Sequence, residues 1–153
     1  MESIELDKKK ILEYQQNRDP YLMIDYANKV IPGKSAEGYK ILKENEWFFK
    51  VHWPGDPNMP GMLQTEALIQ MSALIIQTMP GNKGKILYLV DANNLKFIKK
   101  ILPGDKLNIS SKLISFKRGL IKFEAEGFVN SKKTCRASFT LVIPGSINLN
   151  INK

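Results

Sequence analysis

The chain has 153 residues, enough for one domain with a real hydrophobic core, and its 43% hydrophobic and 25% charged residues exclude a disordered or fibrous polymer. One cysteine, Cys135, excludes an intrachain disulfide, and a lone cysteine with a lone histidine excludes a zinc site of soft ligands. The net charge of +8 suits an acidic partner, but the lysines are scattered and no recognition-helix, RNP-like or zinc-finger pattern accompanies them, so nucleic acid is not expected.

The first residues, Met1 to Lys8, mix charges and lack an apolar signal core, so a reducing cytoplasm is the expected location. Asp7 can cap a short helix to about Gln16, with Ile11 and Leu12 as apolar contacts; Asn17-Arg18-Asp19-Pro20 breaks it. An extended segment is expected from Tyr21 to Ile31, a turn at Pro32-Gly33-Lys34, and a returning strand from Ala36 to Leu42. Trp47-Phe48-Phe49 then leads into a Pro/Gly-rich loop.

A long helix is predicted over about 59–78, with Pro60 in its first turn and Pro80-Gly81 ending it. Its apolar residues wrap nearly the whole cylinder, which predicts burial on all sides. The run is broken by Gln70 and Ser72 and is too short and polar to span a bilayer. Ile86 to Ile101 reads as one long bent strand interrupted around Asp91–Asn94. Turns at Pro103-Gly104-Asp105, Lys117-Arg118-Gly119 and Asn130-Ser131-Lys132 separate strands at Lys106–Phe116, Leu120–Val129 and Thr134–Ile143. Cys135 reads as a small buried hydrophobe, and the Asn-rich tail from about 145 to 153 as flexible. The whole, 1–153, is expected to be an α+β domain: a long central helix wrapped by an antiparallel sheet of five or six strands. An open edge strand favours pairing into a dimer.

The most informative stretch is His52-Trp53-Pro54-Gly55-Asp56-Pro57-Asn58-Met59-Pro60-Gly61-Met62-Leu63-Gln64-Thr65-Glu66-Ala67-Leu68. It holds the only histidine, a rigid loop, a helix start and then a carboxylate among core residues. Free imidazole titrates near pH ~6.5, and an acid in apolar surroundings is pushed toward its neutral form. Together they can move two protons. Each has an ordinary reading alone: a structural loop histidine, a partly exposed helix acid, a routine Pro-Gly helix start. Their convergence makes this segment the candidate site.

The string resembles the His-x-Pro-Gly-x-Pro-x-Met-Pro-Gly-x-Leu-x-x-Glu-Ala-Leu motif of 3-hydroxyacyl-acyl-carrier-protein dehydratases of the hotdog fold, FabZ type. Three weaker blocks follow the same order: Arg18-Asp19-Pro20-Tyr21-Leu22-Met23-Ile24-Asp25, Ile31-Pro32-Gly33-Lys34 and Lys96-Phe97-Ile98-Lys99-Lys100-Ile101-Leu102-Pro103-Gly104-Asp105. The resemblance runs from about Ile11 to Ile143. The related FabA type, which also isomerises its product, carries Asp where this chain has Glu66.

The resemblance implies a hydro-lyase with His52 as base, Glu66 as acid and the Gly61 N–H at the helix N-terminus polarising the thioester carbonyl. It implies that His52 and Glu66 of different subunits share one site, in a homodimer or a trimer of such dimers. Tyr21, Met62, Leu63 and Phe97 are candidates for the acyl tunnel. Gln70, one helical turn beyond Glu66, is placed to orient the carboxyl group. The implied partner is the acidic acyl carrier protein, with Arg18, Lys96, Lys99, Lys100 and Lys106 as docking candidates. No metal or organic cofactor is called for.

The chain departs from the family at Asn17 and Asp19, and at Val51 (usually Gly), Trp53 (usually Phe) and Asn58 (usually apolar). These positions bear on rate and chain-length preference and leave a specialised pathway open. Two alternatives stand beside the dehydratase: a hotdog acyl thioesterase, in which His52 has no evident task, and a catalytically silent acyl or carrier-binding subunit of a synthase.

Overall fold

The structure is a computed structural model that describes residues 2–145. The tail expected to be flexible falls, from residue 146 onward, outside the described residues. A short strand, β1 (Ile4–Leu6), precedes helix α1 (Lys8–Tyr14), whose Asp7 cap accepts from Lys10 N at 2.8 Å. Next come β2 (Tyr26–Ile31), β3 (Ser35–Ile41), a one-turn helix α2 (Trp47–Val51) and the central helix α3 (Gly61–Gln77). The chain then runs through β4 (Tyr88–Phe97), β5 (Lys106–Lys117), β6 (Leu120–Val129) and β7 (Lys132–Val142). All seven strands form one antiparallel sheet in the order β1-β2-β3-β5-β6-β7-β4. The sheet curls around α3, which packs against β2, β3, β5, β6 and β7.

Helix α3 is buried almost all round because its apolar residues meet the sheet and its neighbouring segments. Leu68, Met71, Leu74, Ile75 and Ile76 fill the concave face of the sheet. Ser72, buried among them, is paired: its Oγ donates to Leu68 O at 2.7 Å and meets Ser111 Oγ of β5 at 2.5 Å. Gly38 of β3 marks the closest approach. A Cβ there would stand 2.1 Å from Tyr26 O and 2.5 Å from Met71 Cε, so only glycine fits. Sheet strands alternate as expected, with Leu107, Ile109 and Ser111 of β5 facing the helix.

Several sequence expectations are corrected. Among the described residues there are seven strands rather than five or six, because the three residues of β1 are too few to show a period. Helix α1 ends at Tyr14, not Gln16. Tyr21–Asp25 is irregular rather than extended strand; Leu22, Met23 and Ile24 are apolar because they are buried, not because they alternate. Trp47–Val51 is helical, and Phe48 and Phe49 anchor it in the core. Pro60 occupies the N-cap of α3 rather than its first turn, and the helix spans 61–77 instead of 59–78. Met59 is held outside the helix by its N–H, which donates to Ile101 O at 2.8 Å.

Strand β4 is continuous through Asp91–Asn94. The expected interruption is instead a pair of register slips against β7, between Leu89 and Asp91 and between Asn93 and Lys96, with Asn94 at φ +53°. The β5–β6 and β6–β7 hairpin turns carry consecutive positive φ values, at Arg118-Gly119 and Asn130-Ser131, which match the twist of the flanking strands. Among the described residues no helix is long and apolar enough to cross a membrane.

Candidate active site

The motif places its residues at three points around the start of α3. His52 caps the C-terminus of α2, its N–H donating to Phe48 O at 2.8 Å. Its Nδ1 lies 3.2 Å from Asn58 O. A carbonyl can only accept, so the neutral ring carries its proton on Nδ1 and leaves the Nε2 lone pair free to act as a base. The Trp53 ring stacks on the imidazole, 4.4 Å between centroids and 15° from parallel. Asn58, 7% exposed, donates from Nδ2 to Asp56 O at 2.7 Å, and Asp56 pairs with Lys100 at 2.7 Å. The carbonyl that orients His52 is therefore held by its own residue's side chain.

Gly61 begins α3, where the first N–H groups have no carbonyl within the helix and the dipole is positive. A Cβ on Gly61 would lie 3.1 Å from the Phe97 ring, so the two residues close on each other at the helix start. Gln64 Nε2 donates to Met59 O at 2.9 Å and fastens the loop to the helix.

Glu66 is half-buried one turn into α3. Burial raises its pKa above the ordinary carboxyl value, opposed by one hydrogen bond from Gln70 Nε2 to Oε1 at 2.9 Å. Gln70 is 2% exposed. Its Nε2 also donates to Tyr21 O at 3.0 Å, and its Oε1 accepts from Met23 N at 2.7 Å. Gln15 Nε2 donates to Gln70 O. Gln70 thus ties the acid to the 21–23 segment, with the orientation fixed by Met23 N–H. The Tyr21 phenol is raised too, by burial and by the Glu66 charge nearby.

Glu66 opens onto a groove of about 330 Å³ between α3 and the approach to β4, lined by Ile69, Ala73 and Gln77 on the helix and by 86–89 opposite. The groove does not include His52, and no hydrogen bond or ion pair joins His52 to Glu66 within one chain. Of the four tunnel candidates, none lines this groove. Phe97 covers Gly61, Tyr21 shares Gln70 with Glu66, Met62 faces solvent, and Leu63 packs on the core. Sequence reasoning missed Ile69, Ala73 and Gln77 as lining; their spacing of three, seven and eleven from Glu66 is the helical signal that marks one face.

The charged candidates are exposed, with different duties. Arg18 donates from its guanidinium to Leu12 O, Gln15 O and Asn17 O at the end of α1. Lys106 Nζ sits 4.0 Å over the Tyr39 ring, and Lys100 holds Asp56. Lys96 and Lys99 are exposed at and just beyond the end of β4. Among the described residues no group of three His, Cys, Asp or Glu is placed to hold a metal ion.

One curled antiparallel sheet around a central helix, with an acid on that helix and a histidine loop at its start, is the hotdog architecture. Residues 16–138 match the FabA-like domain, and the chain belongs to that family. It is 37% identical over 150 residues to the 3-hydroxyacyl-[acyl-carrier-protein] dehydratase FabZ of Alkaliphilus metalliredigens, covering 98% of this chain and 100% of that one. With the FabZ of Clostridium botulinum (strain Okra / Type B1) the identity is 39% over 138 residues, 90% and 96% of the two chains. The dehydratase heterocomplex ApeI:P from Xenorhabdus doucetiae superposes with a TM-score of 0.75 at 12% identity, over 88% of this chain and 90% of that one, a likeness of fold.

Proposed function

We propose that this protein removes water from 3-hydroxyacyl thioesters carried on acyl carrier protein, giving trans-2-enoyl thioesters for fatty acid synthesis. The observation that carries the reading is Glu66: an acid held toward its neutral form by burial, steadied by Gln70, at the head of an acyl-sized groove. Its relatives are dehydratases of this specificity by name.

In this reading His52 Nε2 takes the proton from C2 of the substrate. The electron pair moves into the thioester carbonyl, whose oxygen is met by the Gly61 N–H. Collapse of the enolate expels the C3 hydroxyl, which takes a proton from Glu66 and leaves as water. Glu66 must be protonated at that moment, so the upward push from burial keeps it competent to higher pH, and the rate falls as pH rises through its pKa. Gln70 is the positioning residue.

His52 and Glu66 act together across a homodimer. Edge strand β4 supports this, since Tyr88, Leu89 and Val90 are exposed on an unpaired edge beside the groove, and Val51 and Trp53 are exposed beside His52. The exposed Lys96, Lys99, Lys100, Lys106 and Arg18 are the cations assigned to an acidic carrier, and the work is cytoplasmic.

The test is hydration of a crotonyl thioester, followed by loss of enoyl absorbance, in wild type, His52→Ala and Glu66→Gln. Activity that falls at least about a hundredfold in both folded variants is expected. Partial return on mixing the two inactive variants marks a site shared between subunits. A folded wild type inactive on carrier-bound substrates overturns the reading in favour of a silent binding subunit, and release of free thiol marks a thioesterase.

A further inference from the structure

The groove that begins at Glu66 has a polar end. Glu66, Ile69, Ala73 and Gln77 follow one face of α3, and at 1.5 Å per residue the helix rises about 16 Å from first to last. Between them Ile69 and Ala73 of the helix, with Ile86 and Leu87 of the segment before β4, give the groove its apolar lining, beside the polar Gln70 and Asn17. At the far end Gln77 is 4% exposed. Its Nε2 donates to Lys85 O at 2.9 Å, and its Oε1 is buried with no hydrogen-bond partner. Gln16, also lining the groove, donates from Nε2 to Gly84 O at 3.1 Å. The turn carrying both carbonyls is pinned to α1 by the Lys83–Glu13 ion pair at 2.9 Å and by Lys83 over the Tyr14 ring. Two amide side chains fastened to one anchored turn therefore stand on the lining of the groove.

An acyl chain gains from every methylene laid against Ile69, Ala73 and Leu87. It gains nothing from an amide, and burying more apolar surface against a carbonyl oxygen that already lacks a donor is unfavourable. Gln77 cannot swing aside without giving up Lys85 O. We propose that Gln77 is a specificity-determining residue that ends the acyl groove and restricts the enzyme to 3-hydroxyacyl chains too short to reach it. This rests on the dehydratase reading, in which Glu66 marks the reacting end.

The full-length protein is assayed with 3-hydroxybutyryl, 3-hydroxyoctanoyl and 3-hydroxypalmitoyl carrier thioesters, as wild type, Gln77→Leu and Gln77→Met, with thermal melts to verify folding. Wild type is expected to favour the octanoyl over the palmitoyl substrate by at least about tenfold in kcat/KM. Either folded variant is expected to raise the palmitoyl-to-octanoyl ratio of kcat/KM about tenfold. Equal use of octanoyl and palmitoyl substrates by wild type overturns the proposal even if neither variant folds. An unchanged length ratio in a folded variant overturns it too. Wild type inactive at every length instead overturns the dehydratase reading on which it rests.

Discussion

Replacing Gln70 by Met keeps the side-chain length and removes every polar contact it makes. Three hydrogen bonds are lost: to Glu66, to Tyr21 O and from Met23 N. Met23 is fully buried, so its N–H is left without a partner at a cost of about 1–3 kcal/mol. Tyr21 is exposed enough for water to reach its carbonyl, and that loss is about 1 kcal/mol. The sum, about 2–4 kcal/mol, is a large share of a total stability of about 5–15 kcal/mol and lowers Tm by roughly 5–15 °C. The second effect is chemical. The Gln70 N–H favours the ionised form of Glu66, so its removal moves the Glu66 pKa further up. If Glu66 acts as the acid, the high-pH limb of the rate profile shifts to higher pH while kcat falls through misplacement of the carboxyl group. Urea unfolding and a pH–rate profile measure both. A loss below about 0.5 kcal/mol, or a limb that stays in place in an active variant, refutes the argument that this amide couples the acid to the 21–23 segment.

Two glycines give opposite outcomes. In Gly38→Ala the new Cβ meets backbone, Tyr26 O at 2.1 Å and Ala27 Cα at 2.8 Å, and β2 cannot yield; a loss above about 3 kcal/mol is expected in urea unfolding. In Gly61→Ala the nearest atoms to the Cβ belong to the Phe97 ring at 3.1–3.2 Å, a side chain that is 47% exposed rather than backbone. Stability should stay within about 1 kcal/mol, while kcat/KM falls about a hundredfold as the methyl group blocks approach to the N–H. Equal Tm losses in the two variants would contradict this distinction.

The features legible in the sequence were those encoded by neighbours in the chain. Asp7 caps α1 because a carboxylate three residues before an N–H reaches it in any context. The turns at Arg118-Gly119 and Asn130-Ser131 and the buried character of α3 are equally local, set by turn chemistry and a continuous apolar run. His52, Gly61 and Glu66 could be nominated because side-chain chemistry and spacing are written in the chain.

Tertiary structure decided what depends on distant partners. Strand β1 exists because Leu6 pairs opposite Ala27, and helix α2 because Phe48 and Phe49 have a core to enter. Gln70 serves Glu66 only because Met23 and Tyr21, 47 and 49 residues away, fix its amide. The groove and the place of Gln77 on its lining come from α1, α3 and the 80–85 turn meeting in space. Burial, which pushes Glu66 toward its neutral form, is a property of packed neighbours, and no reading of adjacent residues supplies it.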